Sequence, residues 1–386
     1  MTVLPLEDIT VIGIEQAVAA PLATRQLADL GARVIKVERP GGGDFARNYD
    51  TVVHGHASAF VWLNRGKESI ELDLAGPEGQ HALHALLAEA DVLVANLSPR
   101  ALRSLGLGVE ELQGRYPRLI PCLVSGYPPD GPSRDKKAYD ALIQAETGLM
   151  SITGSPGAPA KTGISTVDIA AGSYAYSGIL AALRHRDRTG EALPVRVSLF
   201  EAMTEWMGYP LYYAMHSGIS PVPMGTSHPT IAPYGAVTTA DGQQVMIAVQ
   251  NEREWAALCR LVLERPDLVD DHRFRSNSLR VANRAVLDDE LAGEFATLDL
   301  PVALERLDNA QIAWSNLNTL ESMANHPELA ARSRWLETAI PGATVRTLRP
   351  VATPGGRCAE DGAVPAFGEH TTAVLTELQL TEETMS

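Results

Sequence analysis

Disulfide chemistry has almost nothing to work with in this chain. Its three cysteines, Cys122, Cys259 and Cys358, are odd in number, far apart and form no CxxC pair. That pattern excludes a disulfide framework and argues against a zinc site. Long apolar runs are missing too: no stretch approaches the roughly 20 residues that a membrane-spanning helix needs. Met1 to Glu7 lacks the basic start and apolar run of a signal peptide, so a cytoplasmic protein with no membrane partner is expected. Basic residues are in the minority, 32 against 47 acidic ones. The resulting charge of −15 and a pI near 5.1 argue against nucleic acid as a partner. Local basic clusters for an anionic ligand stay compatible with that balance. Internal repeats and low-complexity segments are absent as well.

The chain does have length and a regular alternation. At 386 residues it exceeds one ordinary core, so two domains are expected. Ile9 to Ile14 is a short apolar run of the kind found in buried parallel strands. Pro21, Leu22, Leu27 and Leu30 follow with helical spacing, and Gly31 closes that helix. Strands are expected again at Arg33–Glu38, Ser69–Leu74, Asp91–Asn96 and Leu119–Val124, with a helix at Gly76–Ala90. This rhythm predicts an α/β fold with a Rossmann-like, doubly wound sheet in the large domain. A Pro-rich linker at Ser220–Pro223 introduces a smaller α+β domain, with a hairpin around Asp241-Gly242 and helices at Glu252–Leu263, Asn283–Ala296 and Leu300–Asn309. The expected division is 1–215 for the first part of the large domain, 216–330 for the small domain with its linkers, and 331–386 for a return to the large one.

A dinucleotide site is the obvious guess for such a start, and the residues resist it. The turn after the first strand, Glu15 to Pro21, has none of the glycines that admit a pyrophosphate, and no Walker A motif occurs. The glycine turn comes after the second strand instead, as Gly41-Gly42-Gly43-Asp44. Arg39, Arg47, Arg65 and Lys67 surround it in sequence. They read as cations on loops near the carboxyl ends of strands, where an open α/β sheet binds its ligands.

The stretch Lys161 to Gly172 carries one acid, Asp168, followed by small residues that leave room for a thin substrate arm. Ser165 or Thr166 is a plausible N-cap, which puts Asp168 in the first turn of a helix reaching about Arg184. The helix dipole is expected to hold its carboxylate ionised.

Several stretches together carry a resemblance. "LADLGARVIKVERPGGGD" (Leu27–Asp44), "NRGKESIELDL" (Asn64–Leu74), "NLSPRALRSLGLG" (Asn96–Gly108), "KKAYDALIQAETGLM" (Lys136–Met150), the Asp168 stretch and "GTSHPTIAPY" (Gly225–Tyr234) stand in the order of a class III CoA-transferase. The chain resembles that family (CaiB/BaiF, formyl-CoA transferase type) over most of its length. The resemblance implies an interlocked-ring homodimer and CoA as a substrate, with no tightly bound cofactor and no metal. It also implies that CoA passes from an acyl-CoA donor to a small carboxylic acid through an aspartyl-CoA thioester on Asp168. Arg39, Leu72, Asn96, Leu97, Arg103 and Lys137 fall where the family contacts CoA. Gln16, Ala17, Arg47, Tyr139, Asp140 and His228 are the implied substrate pocket. Leu97 and Ser98 stand where the family usually has an aromatic and a glycine, and the glycine loop of the formyl-CoA enzymes has no counterpart near Thr230–Ala236. Arg47, the Gly41–Asp44 turn and Glu15-Gln16 resemble members acting on dicarboxylates such as itaconate, citramalate or mesaconate, with succinyl-CoA as the expected donor.

Two other readings stay open. An α-methylacyl-CoA racemase shares this fold but needs a His–Asp pair, and Tyr139 stands where that His is expected, directly before Asp140. A non-catalytic acyl-CoA-binding paralogue is the other. The pairs His54/His56 and His81/His84 have metal-like spacing, yet no Cys or further His supports either one.

Overall fold

The computed structural model describes residues 3–360 and 362–380, so Met1 and Thr2, Asp361 and the last six residues of the expected C-terminal part, 381–386, lie outside the described residues. The chain divides into two compact units: Met1–Thr147 with Thr162–Tyr209 and Ala330–Ser386, and Gly148–Lys161 with Pro210–Leu329.

In chain order the elements that frame the first unit are β1 (Thr10–Ile14), α1 (Ala19–Asp29), β2 (Arg33–Glu38), α2 (Ser58–Leu63), β3 (Lys67–Glu71), α3 (Pro77–Glu89), β4 (Val92–Ala95), α4 (Pro99–Ser104), α5 (Val109–Arg115), β5 (Ile120–Ser125) and α6 (Asp140–Glu146). The second unit contributes α7 (Leu149–Ile152) and the short pair β6 (Gly154–Ser155) and β7 (Ala158–Pro159) before α8 (Thr166–Thr189) and β8 (Val195–Ser198) return to the first.

Its sheet runs β3-β2-β1-β4-β5-β8, parallel throughout, which is the doubly wound order with a reversal between β1 and β4. β1 and β4 read as unbroken apolar runs because helices cover a parallel sheet on both faces. Side chains alternate along each strand. On one face Ile12, Ile14, Ile35, Val37, Ile70 and Leu72 pack with Leu83, Leu86 and Leu87 of α3 in the main core. On the other, β2 and β3 place Lys36, Glu38, Lys67 and Ser69, all buried and all polar.

α1 and α8 lie in close contact on that second face. A Cβ at Gly172 would stand 2.5 Å from the Ala19 carbonyl oxygen, so only glycine lets the start of α1 approach α8 this closely. The C-terminal segment closes the free edge of β3: the Glu71 N–H donates to Thr371 Oγ1 at 2.9 Å, and Arg33 pairs with both Glu68 and Glu377.

In the second unit β9 (Tyr234–Thr238) and β10 (Gln244–Ala248) form the expected hairpin, and β11 (Ala313–Asn316) pairs with β10. Trp255, Leu258, Phe274, Leu287, Leu291 and Phe295 fill its own core. Back in the first unit, β12 (Trp335–Ile340) and β13 (Ala343–Leu348) form a further hairpin.

Candidate active site

Asp168 is the third residue of α8, and the group that caps this helix comes from elsewhere in the chain. Ser165 holds the N-cap position without a side-chain cap. Asp140, the first residue of α6, takes that role. Its Oδ1 accepts the N–H groups of Val167 at 2.8 Å and Asp168 at 3.1 Å, the two donors an N-cap normally satisfies. Its Oδ2 accepts Gln144 Nε2 at 2.6 Å, and Gln144 Oε1 accepts the Thr162 N–H at 3.0 Å. Gln144 is fully buried, so Asp140 is held on both oxygens.

The expectation that the helix terminus keeps Asp168 ionised is corrected by this arrangement. Two donors at that terminus already serve Asp140. Burial, and then the neighbouring Asp140 charge, push the Asp168 carboxyl up to about 7. A carboxylate this basic is a better nucleophile than an ordinary one. Tyr49, which sequence reasoning missed, shares the surroundings. Burial raises its phenol to about 12, with smaller contributions from Asp44, Asp168 and Tyr139.

A tightly held turn lies beside the start of α8. Asn96 clasps Gln16 from both sides, accepting its N–H at 3.0 Å and donating Nδ2 to its carbonyl at 2.8 Å. The Asn96 carboxamide therefore serves the backbone of the first strand-end turn. Ala17 follows with φ of 63°, the left-handed region that residues with a Cβ seldom adopt. Ala17 and Ile169, the residue after Asp168, pack against one cluster of Val18, Leu22 and Leu63.

The cations separate into two groups. Arg47 grips Glu38 with two nitrogens, at 2.6 and 2.9 Å, and its guanidinium lies 3.8 Å from the centre of the Phe60 ring. Arg65 pairs with Asp29 at 2.6 Å, and Lys67 with Glu15 at 2.7 Å, all buried. Lys67 opens β3, at the amino end of the strand. These three are partners of buried acids, so Arg65 and Lys67 are not the loop cations their sequence positions suggested, and Arg47 is held by Glu38. The buried carboxylates attract them because an unpaired charge cannot be left in the interior.

Arg39, Arg103 and Lys137 stay exposed, after β2, in α4 and before α6. Arg39 Nε donates to the Gly43 carbonyl at 3.2 Å, while Arg103 stands 3.6 Å from Asp135 with both side chains exposed, a weak surface pair. Leu72 is buried in the main core and Leu97 packs against it. Tyr139 is 63% exposed.

Residues 6–371 match the description CoA-transferase family III. The chain belongs to CoA-transferase family III. The Succinyl-CoA:glutarate CoA-transferase of Mus musculus is 33% identical over 383 residues, covering 97% of this chain and 86% of its own. The Succinyl-CoA:mesaconate CoA-transferase of Haloarcula hispanica is 34% identical over 390 residues, covering 96% of each. A solved CAIB/BAIF family protein of Brucella suis superposes with a TM-score of 0.85 at 34% identity, covering 98% of this chain and 100% of that one.

In this CoA-transferase His228 belongs to the second unit. Its ring stacks on Tyr234 with centroids 5.3 Å apart, its Nδ1 accepts the Thr230 N–H at 3.2 Å, and its carbonyl accepts Arg284 Nη2 at 2.7 Å. Burial and the Arg284 charge lower its pKa. These contacts fasten the 228–231 loop. The other paired histidines serve locally as well: His56 Nε2 meets the Pro341 carbonyl at 2.9 Å and His84 Nδ1 meets Tyr116 Oη at 2.8 Å. Among the described residues no group of three or more His, Cys, Asp or Glu could hold a metal ion. Likewise no helix is long and apolar enough to cross a membrane.

The sequence singled out Asp168, Asp140 and the Gln16-Ala17 turn, but gave no role to the side chains of Gln144 and Asp44, which hold Asp140 and Ala17 in place. Gln144 had a signal, since it follows Asp140 by four residues on one helix face.

Proposed function

We propose that this CoA-transferase moves CoA from succinyl-CoA to a small dicarboxylate of the itaconate, citramalate or mesaconate kind, with Asp168 as the nucleophile. The observation that carries this reading is the half-buried Asp168 carboxyl, pushed up to about 7 by burial and then by Asp140, in the first turn of a helix that goes on with the small residues Ala170, Ala171 and Gly172. The dicarboxylates named for the mouse and Haloarcula relatives support the substrate class.

The steps balance through one carboxylate. Asp168 attacks the thioester carbonyl, the C–S bond breaks, and a mixed anhydride forms with release of CoA thiolate. The thiolate attacks the Asp168 side of the anhydride, which frees succinate and leaves an aspartyl-CoA thioester. The acceptor carboxylate then attacks this thioester, again releasing thiolate and forming a second anhydride. The thiolate attacks the acceptor's carbonyl, giving the new acyl-CoA and restoring the Asp168 carboxylate. No net proton is moved, so the site has no need of a histidine base. Exposed Arg39, Arg103 and Lys137 meet the anionic end of CoA.

Incubation with succinyl-CoA and a panel of acids, followed by intact-protein mass, tests this. A CoA-sized adduct that Asp168→Ala abolishes, with a new acyl-CoA from one dicarboxylate, is the expected result. Full turnover in Asp168→Ala would sink the nucleophile assignment. Binding of CoA esters without adduct or product would leave an acyl-CoA-binding paralogue.

A further inference from the structure

We propose that Asp44 is a positioning residue of this site, acting through Ala17: its carboxylate pins the left-handed turn that borders the first turn of α8. The inference rests on the reading of Asp168 as the reacting group.

Asp44 ends the glycine turn, and its side chain is fully buried. Oδ1 accepts the N–H of Ala17 at 3.1 Å and of Ala46 at 2.9 Å, while Oδ2 accepts Lys36 Nζ at 2.9 Å. Lys36, also fully buried, reaches the Glu15 carbonyl at 3.2 Å and the Glu15 carboxylate at 3.4 Å. Glu15 in turn accepts Lys67 Nζ at 2.7 Å and Thr24 Oγ1 at 2.6 Å, and Lys67 also donates to the Pro21 carbonyl at 3.0 Å. The network thus begins at the glycine turn, passes under residues 15–17 and ends on α1.

Charges buried in this way add little to stability compared with well-packed apolar groups. What they do fix is geometry, because each partner has one position that satisfies all the others. Ala17 needs such fixing: its φ of 63° is unfavourable for a residue with a Cβ and persists only where the surroundings impose it. Asn96 secures Gln16 and Asp44 secures Ala17, so two independent side chains hold two consecutive backbone amides. The turn has little room to relax toward α8, since Ala17 and Ile169 pack against the same Val18, Leu22 and Leu63 cluster and the Ala19 carbonyl lies 2.5 Å from where a Cβ on Gly172 would stand. A shift in Ala17 is therefore a shift in the wall next to Asp168. The plainer role, capping the short helical turn at Phe45–Asn48 through Ala46, uses the same oxygen and must be separated by experiment.

Asp44→Ala and Asp44→Asn in the full chain make that separation. Asparagine keeps the volume and an acceptor oxygen, so it carries the test if the alanine variant does not fold. The expected result is a kcat lower by about 10- to 100-fold, as a small misplacement near reacting groups produces, with KM for succinyl-CoA within about threefold, since binding is untouched. Hydrogen exchange should rise at residues 16–22 and stay unchanged in β4, with a smaller rise for Asp44→Asn than for Asp44→Ala. The proposal is overturned by a kcat within about twofold of wild type despite faster exchange at 16–22. Unchanged exchange there, or a loss of protection spread evenly over the sheet, overturns it equally. If the wild type transfers no CoA to any acid, the functional reading fails, and the exchange comparison alone still decides whether Asp44 holds Ala17.

Discussion

Asp140 and Asp168 share one helix terminus, and only one of them is served by it. The N–H of Asp168 donates to Asp140 Oδ1 at 3.1 Å, so the residue that caps the helix also adds to what burial does first, raising the Asp168 pKa. One side chain caps the helix and contributes to the basicity of the carboxyl beside it.

That contact sets a pH profile. Transfer needs Asp168 as carboxylate, so the rate is expected to rise with pH through about 7. Asp140→Asn keeps an oxygen for the two N–H groups but removes the charge. Its rising limb should move to lower pH while staying above the ordinary carboxylate range, because burial is the larger cause. Rates measured from pH 5 to 9 check this, and an unmoved limb would exclude Asp140 as a cause. Asp140→Ala loses the cap too and should unfold more easily by about 1–2 kcal/mol.

The same carboxyl weakens the fold at high pH. Its folded pKa of about 7 exceeds the ordinary 3.8, so the folded state holds the proton longer than the unfolded one. Stability therefore falls as pH rises between about 4 and 7 and is flat above. Asp168→Asn should raise the melting temperature at pH 8 and leave it unchanged at pH 4 while abolishing transfer. The gap in pKa sets a ceiling of about 4 kcal/mol, reduced by the water that reaches this half-buried group. Equal melting temperatures at pH 8 would show that Asp168 is not strained.

Arg47 should matter for stability rather than for substrate. Arg47→Ala strands Glu38, whose side chain is fully buried, at a penalty of about 3–5 kcal/mol. Arg47→Lys loses the two-pronged contact and the stacking on Phe60 and should cost less, about 1–2 kcal/mol. Urea titration measures both. A normal midpoint with a raised acceptor KM would restore Arg47 to the substrate pocket.

Gly172→Ala sets two effects against each other. Alanine in a helix interior gains about 1 kcal/mol over glycine. The new Cβ meets the Ala19 carbonyl at 2.5 Å, and overpacking against backbone costs about 1–3 kcal/mol. The clash should win, giving a lower melting temperature and slower transfer as α1 is pushed off α8. A more stable variant would mean that this interface yields.

The legible part of this protein was the part written in near neighbours. Arg33–Glu38 appears as a strand with the bounds expected from the sequence, and α8 starts where Ser165 and Thr166 mark it. The doubly wound sheet follows from such local periods, because a buried parallel strand and an amphipathic helix each record their burial in residue spacing. Asp168 could be singled out for a similar reason, from small residues following one acid.

Partnership was not written there. Arg47, Arg65 and Lys67 look alike in sequence to Arg39, Arg103 and Lys137, yet the first three answer buried acids and the others face solvent. Asp140 lies 27 residues before Val167, whose N–H it caps, and Asp44 lies 27 residues after the Ala17 it holds. The sequence by itself determined the sheet, its helices and the candidate nucleophile. Only the tertiary structure decided which charges pair and how readily Asp168 ionises, because desolvation and Coulomb attraction depend on distances through space that chain spacing does not record.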